Sequence, residues 1–171
     1  MLDVGCGDGW LCASLIKNGI KYLGINGSQA LIDIAKLRQT GSFEKVSYED
    51  MIQTPRRPPW PVDVIVFNFS LLDSDTLPLL KQVRQYLTST SSAALLIQTL
   101  NPRTTTKDKW QVEDFKTMLS PFDGTMPCYS RTLDSWTDLF KLAGFDVEDT
   151  IKPVLDGRPA SMIFILQLAG T

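Results

Sequence analysis

The sequence predicts an α/β protein built on a doubly wound, mostly parallel sheet that ends in an antiparallel C-terminal edge pair. Three observations carry that expectation. Short apolar strands alternate with amphipathic helical stretches through most of the 171 residues. The run "VDVIVFNF" is β-branched and apolar on successive positions, the pattern of a strand covered on both faces. The chain then closes on "FDVEDTI" and "SMIFILQLA" with only the turn-rich "KPVLDGRP" between them, too little for a crossover helix.

The elements follow in order. Leu2 to Val4 reads as the end of a buried strand running into a glycine turn, and "WLCASLIKNG" as a helix with Leu11, Leu15 and Ile16 at helical spacing and Gly19 as its stop. "KYLGI" is a second strand, "NGS" a turn, and Ser28 a cap for the helix "QALIDIAKLRQ", whose apolar face is expected at Leu31, Ile34, Ala35 and Leu37. "FEKVSY" is a weaker third strand, and "QTPRRPPWP", with four prolines in nine residues, is a loop. After "VDVIVFNF" come the helix "LPLLKQVRQYL", with Pro78 in its first turn, and the strand "SAALLIQTL". Residues 101–131 are polar, with Trp110, Phe115, Phe122 and Tyr129 interspersed. "SWTDLFKLAGF" returns to helix and ends at Gly144.

Composition narrows the function. A length of 171 residues fits one domain, 1–171. Seventeen basic residues against nineteen acidic ones leave no surplus to coat a phosphate backbone, so nucleic acid is not an expected partner. The chain has no histidine, which removes imidazole-based catalysis and imidazole metal ligands. Three scattered cysteines make neither a disulfide framework nor a zinc site, and Asp73 with Asp75 do not define a metal site. No apolar run reaches the ~18 residues of a membrane span, and no leader pattern precedes the first strand. A reducing, cytoplasmic setting without membrane partners is expected.

The chemistry concentrates in "LDVGCGDGW". In a doubly wound sheet the ligand sits at the carboxyl ends of the strands where the strand order reverses. Glycines at 5, 7 and 9 let backbone approach a ligand and adopt positive φ. A phosphate-binding P-loop requires Gly-Lys-Ser/Thr, but Gly9 is followed by Trp10 and Leu11. A dinucleotide fingerprint wants glycine at position 10, and an indole there crowds the helix start that would receive a pyrophosphate.

The remaining pattern, Asp-x-Gly-x-Gly-x-Gly from Asp3 to Gly9, resembles the first motif of the class I S-adenosylmethionine-dependent methyltransferases, which have a Rossmann-like fold. "YLGINGSQALIDIAK" looks like their second motif, "YEDM" their third region and "VDVIVFNFSLLD" their fourth strand. "CYSRTLDSWTDLFKLAGFDVED" and "GRPASMIFIL" resemble the last third of bacterial members with small-molecule substrates. The resemblance implies S-adenosyl-L-methionine as cofactor. It assigns Asp3 to the ammonium group, with Gly5, Cys6, Gly7, Gly9 and Trp10 forming the loop around the amino-acid head. Asn26, with Gly27 and Ser28, stands where the family places an acid on the ribose hydroxyls. An amide can still accept one bond and donate another, at a cost of about 1 kcal/mol for the lost charge. Asp50 would read the adenine amino group and Met51 cover the ring, while Asn68, Phe69 and Ser70 line the cofactor and face the substrate.

The signature of methyltransferases acting on nucleic-acid base amines is missing after the fourth strand. Together with the charge balance, this favours a small-molecule methyl acceptor. Residues 101–131 are too long for a connector and are read as a substrate-side insertion, with Trp110, Glu113, Tyr129 and Arg131 as candidate contacts. Arg131 would pair with a carboxylate or phosphate. Without histidine, a base would be a carboxylate, tyrosine, lysine or cysteine, and none is assigned.

Two other readings stay open: a degenerate cofactor- or partner-binding relative without catalysis, and a nicotinamide-dependent redox enzyme. Family members carry a helix and further strand residues before the first motif, where Met1 stands here. The expectation is an N-terminally short domain with an open, solvent-accessible cofactor site.

Overall fold

A computed structural model describes residues 1–114 and 125–170. The elements are β1 (Leu2–Val4), α1 (Trp10–Ile16), β2 (Leu23–Asn26), α2 (Gln29–Arg38), β3 (Ser42–Lys45), α3 (Tyr48–Gln53), β4 (Val64–Asn68), α4 (Leu77–Arg84) and β5 (Ala94–Leu100). A single 3₁₀ turn (Pro102–Thr104) leads to β6 (Lys109–Asp114) and β7 (Thr125–Ser130), then α5 (Leu133–Ala143), β8 (Phe145–Ile151), the short β9 (Val154–Leu155) and β10 (Arg158–Pro159), and β11 (Ser161–Leu168).

Seven strands form one sheet in the order β3-β2-β1-β4-β5-β11-β8. The first five are parallel, and β11 runs antiparallel to both β5 and β8. The expected doubly wound sheet with its antiparallel C-terminal pair is what the chain adopts. Strand order reverses between β1 and β4, so the crevice at their carboxyl ends is the switch point where such folds take ligands.

Burial alternates across the sheet as its pleat requires. On one face Leu2, Val4, Ile65, Phe67, Leu95, Ile97 and Phe164 join Leu79, Leu80 and Val83 of α4 and Trp136 and Phe140 of α5 in the main core. Trp136 stacks on Phe140 at 5.5 Å between ring centroids, and both meet Phe164. A second, smaller cluster of Cys6, Cys12, Tyr22, Ile32, Ala35 and Phe43 seats α1 and α2 near the β3 side. Val64, Leu96, Ile163 and Ile165 are only half-buried.

Three local expectations are corrected. "FEKVSY" is not strand throughout: β3 ends at Lys45, and Ser47 caps α3, a helix the apolar pattern did not announce. In α2 the buried positions are Ile32 and Ala35, whereas Leu37 is 88% exposed. Two residues beyond Ala35 is about 200° around the helix, which turns Leu37 away from the sheet. The helix "SWTDLFKLAGF" begins earlier, at Leu133, because the Thr132 side chain accepts from the Ser135 amide; it ends as expected, at Gly144 with φ +84°. The described part of 101–131 is an ordered antiparallel β6–β7 hairpin. Phe115 and Phe122 lie outside the described residues.

Candidate functional site

The glycine loop leaves β1 and turns over the carboxyl end of the sheet. Gly5, Gly7 and Gly9 all have positive φ, +79°, +59° and +78°. The amides of Gly5 and Cys6 donate to the Ile25 carbonyl at 2.8 and 3.0 Å, which ties the loop to β2. The three glycines do different work. A Cβ on Gly5 would meet the Ser70 Cβ at 2.4 Å, and one on Gly9 would meet the Phe43 ring at 2.7 Å. A Cβ on Gly7 would meet nothing within 4 Å. Gly5 and Gly9 therefore fasten the loop to the protein, and Gly7 presents bare backbone to open space. Trp10, the first residue of α1, is 56% exposed beside it.

Beneath the loop lies Asp3, 2% exposed. The Tyr22 hydroxyl donates to Asp3 Oδ2 at 2.6 Å, while Oδ1 is buried with no partner. Desolvation raises this carboxyl to a pKa of about 6, against the opposing effect of the Tyr22 bond. Burial likewise pushes the Cys6 thiol up to about 12, so it stays protonated at neutral pH. A buried carboxylate oxygen left unpaired is costly in isolation and is a ready acceptor for a cation.

The neighbouring strand β2 and the helix α3 carry the next expected residues. Asn26 closes β2, and its Oδ1 accepts from the Ser28 amide at 2.8 Å. The Ser28 side chain in turn accepts from Leu31 N and caps α2. Gly27 lies against Ser47, where an added Cβ would be 3.6 Å from the serine Cα. Asp50 belongs to a reciprocal cap: its Oδ2 accepts from the Ser47 amide and hydroxyl, and its own amide donates to Ser47 Oγ. Those bonds to Ser47 hold the Asp50 carboxyl below its usual range. Met51 is 3% exposed and packs in the main core.

From the other side, β4 delivers Asn68, whose Oδ1 is buried without a partner, and Phe69, 40% exposed at φ +50°. A phenylalanine held in the left-handed region is strained, as residues at ligand sites often are. Ser70 Oγ donates to the Val4 carbonyl at 2.7 Å, and the Tyr48 hydroxyl donates to the Ser70 carbonyl at 2.8 Å. These contacts lock the turn after β4 against the glycine loop.

The unpaired Asp3 oxygen and the open space over Gly7 fit a ligand with a cationic head and no phosphate. Residues 1–150 match a family described as a methyltransferase domain.

The chain belongs to this family, the class I S-adenosylmethionine-dependent methyltransferases.

The methyltransferase resembles solved structures over nearly its whole length. One is a methyltransferase from Methanosarcina mazei (TM-score 0.73, 16% identity, 98% of this chain and 91% of that one). Another is a glycopeptide N-methyltransferase crystallised with S-adenosyl-L-methionine (TM-score 0.74, 13% identity, 99% and 81%). At these identities the likeness is one of fold. A ubiquinone biosynthesis O-methyltransferase of Bartonella quintana is 36% identical over 52 residues, which span 30% of this chain and 21% of that protein.

A cavity of about 320 Å³ lies between the ends of β4 and β5 and the hairpin, within the range of small-ligand pockets. Tyr129 N donates to the Leu72 carbonyl at 2.8 Å and docks the hairpin on the loop after β4. Trp110 is 55% exposed and meets Tyr129 edge-on at 5.5 Å; Tyr129 lines the cavity. Glu113 lies in β6 opposite Met126, and its side chain is outside the described ones. Arg131 also lines the cavity. Among the described residues no helix is long and apolar enough to cross a membrane, and no group of three potential metal ligands occurs.

Sequence reasoning missed three residues here. Tyr22 partners Asp3 from nineteen residues away, and nothing local marks that pairing. Tyr48, in "YEDM" beside Asp50 and Met51, bonds the Ser70 carbonyl across 22 residues, and nothing local marks that pairing. Lys109 lines the cavity only because β6 folds back on β7.

Proposed function

We propose that this methyltransferase transfers a methyl group from S-adenosyl-L-methionine to a small molecule held in the cavity between the β4 and β5 ends and the hairpin. The observation that carries the reading is the contact of Ser70 with Gly5, which places that cavity's Phe69 and Leu71 next to the glycine loop. S-adenosylmethionine, when bound, supplies a methyl group on a sulfonium sulfur. Asp3 holds the ammonium through its unpaired oxygen, and Gly7 lets the amino-acid head lie on bare backbone. Asn26 contacts the ribose hydroxyls, Asp50 the adenine amine, and Met51 supports the ring from the core. Asn68, Phe69 and Ser70 separate cofactor from acceptor and fix their approach.

In-line displacement needs alignment above all, and effective concentration is what such a site supplies. Burial raises both the Cys6 thiol and the Tyr48 hydroxyl, so neither is poised to take a proton at neutral pH. Neither of these two groups therefore takes the acceptor's proton. Cys6, Cys12 and Cys128 are buried thiols, which suits a reducing, cytoplasmic setting.

Incubating the chain with methyl-labelled S-adenosylmethionine and a panel of small phenols, amines and carboxylic acids tests the reading. Labelled product is expected from one acceptor class, in step with the demethylated cofactor. Cofactor binding without transfer to any acceptor would favour the non-catalytic alternative, which Asn26 supports because its Oδ1 already serves the Ser28 amide. Asn26→Asp keeps that turn and restores the charge. It is expected to tighten cofactor binding by roughly fivefold, the equivalent of about 1 kcal/mol. Equal affinity in a titration would place the ribose elsewhere.

A further inference from the structure

We infer that the methyl acceptor is an anion, carrying a carboxylate or phosphate that Arg131 and Lys109 hold from the hairpin side of the cavity. This deepens the small-molecule reading above and rests on the same cavity.

The charge of the wall is the first reason. The chain as a whole has more acids than bases, yet this cavity is lined by Arg131 and Lys109 and, among the described residues, by no aspartate or glutamate. The hydroxyl-bearing run Thr104, Thr105 and Thr106 lines it as well. A wall of two cations and several hydroxyls, with no carboxylate lining it among the described residues, is complementary to an anion.

The state of Arg131 is the second reason. Its side chain is only 10% exposed, and its Nε is buried without a partner. The rest of the guanidinium is fixed. One terminal nitrogen donates to the Ser74 carbonyl and the other to Ser135 Oγ at 3.4 Å, while the plane lies 5.0 Å from the Tyr129 ring and 5.6 Å from that of Trp136. A clamped guanidinium whose Nε has no partner loses little freedom when an oxygen arrives. Asp108 does not cancel it. That carboxylate pairs with Arg131 at the long distance of 3.9 Å, is already engaged by the Thr132 amide and the Ser135 hydroxyl, and lines a second recess, which Arg131 also borders, rather than this cavity. Lys109 is exposed at the start of β6, opposite Ser130, and supplies the second, mobile cation.

The test is binding, read without turnover. Benzoate and phenyl phosphate are titrated into the isotope-labelled chain, with benzamide as the neutral match for benzoate, while the Arg131 Nε–H signal is followed. Both anions are expected to shift that signal and to bind roughly tenfold tighter than benzamide, with the advantage shrinking as salt is raised. Lys109→Gln, a change at an exposed side chain, is expected to cut anion affinity about fivefold and leave benzamide unchanged. Arg131→Lys should remove the preference, and should that variant fail to fold, Lys109→Gln still decides.

Benzamide binding as tightly as benzoate, or a Lys109→Gln variant with an unchanged anion preference, would overturn the inference. So would an Arg131 signal that stays fixed while the anions saturate another site. The outcome is independent of catalysis. Anion binding with no methyl transfer would sink the proposed function and leave the cavity as an anion site, and efficient methylation of neutral acceptors with no anion preference would sink this inference alone.

Discussion

Gly9→Ala is expected to lower stability by about 2–5 kcal/mol, whereas Gly7→Ala keeps the fold and loses the cofactor. Both residues have positive φ, so each alanine carries a backbone penalty of about 1–2 kcal/mol. The difference lies in what the new methyl meets. At Gly9 it lands 2.7 Å from the Phe43 ring and 3.2 Å from the Ala35 Cβ, inside the cluster that seats α1 and α2. Neither neighbour is the loose end of a flexible side chain, so α2 or β3 has to shift. At Gly7 the methyl has room, but that room is the ledge on which the cofactor's amino-acid head lies. Denaturant unfolding and cofactor titration on the two variants separate these roles. Gly7→Ala is expected to unfold within about 2 kcal/mol of the parent and to bind at least about tenfold more weakly. A Gly7→Ala variant with parental affinity would remove the loop from the cofactor site.

Asp3→Asn is expected to weaken cofactor binding strongly while costing little stability near pH 7.5. Burial raises the Asp3 carboxyl to about 6, above its ordinary 3.8, so the folded state holds the proton more tightly than the unfolded one. The stabilisation from that protonated form is complete below pH 3.8, declines as pH rises toward 6, and is gone above it. Ionising the group costs on the order of 3 kcal/mol in the folded chain. Asparagine removes that cost and still accepts from Tyr22, which offsets the unpaired amide hydrogen it introduces.

Cofactor binding runs the other way, because an ammonium stabilises the ionised carboxylate. Affinity should climb about tenfold per pH unit below pH 6 and level off above it. In Asp3→Asn both the stability slope and this contribution to the affinity slope disappear. Parallel thermal and calorimetric measurements from pH 5 to 8 check the pair of signs, and a parent affinity that falls as pH rises through 6 would contradict the assignment.

What could be read from the sequence follows the range of the forces involved. The strands, the cap at Ser28 and the glycine loop depend on neighbouring residues and are visible in the chain. Helix α3 was hidden because six residues are too few to show a 3.6-residue period, although Ser47 and Asp50 already carried the spacing of a capping box. Apolar residues crowd α2, and only packing in the cluster with Cys6, Cys12, Tyr22 and Phe43 selects Ile32 and Ala35 rather than Leu37 for burial. The Tyr22 bond to Asp3 and the place of Lys109 on the cavity wall arise from pairing between distant segments. The strain at Phe69 has no local mark either, since phenylalanine is not a residue that favours positive φ.

The central claim is that the loop from Asp3 to Gly9, anchored by Ser70 and Phe43, holds the amino-acid end of S-adenosylmethionine. Calorimetric titration of S-adenosyl-L-methionine into the folded chain at pH 7.5 tests it most directly. Saturable binding at one site, sharply reduced in Gly7→Ala although that variant remains folded, is the predicted result. A folded parent chain that takes up no cofactor, or one whose affinity is indifferent to Gly7, would contradict it.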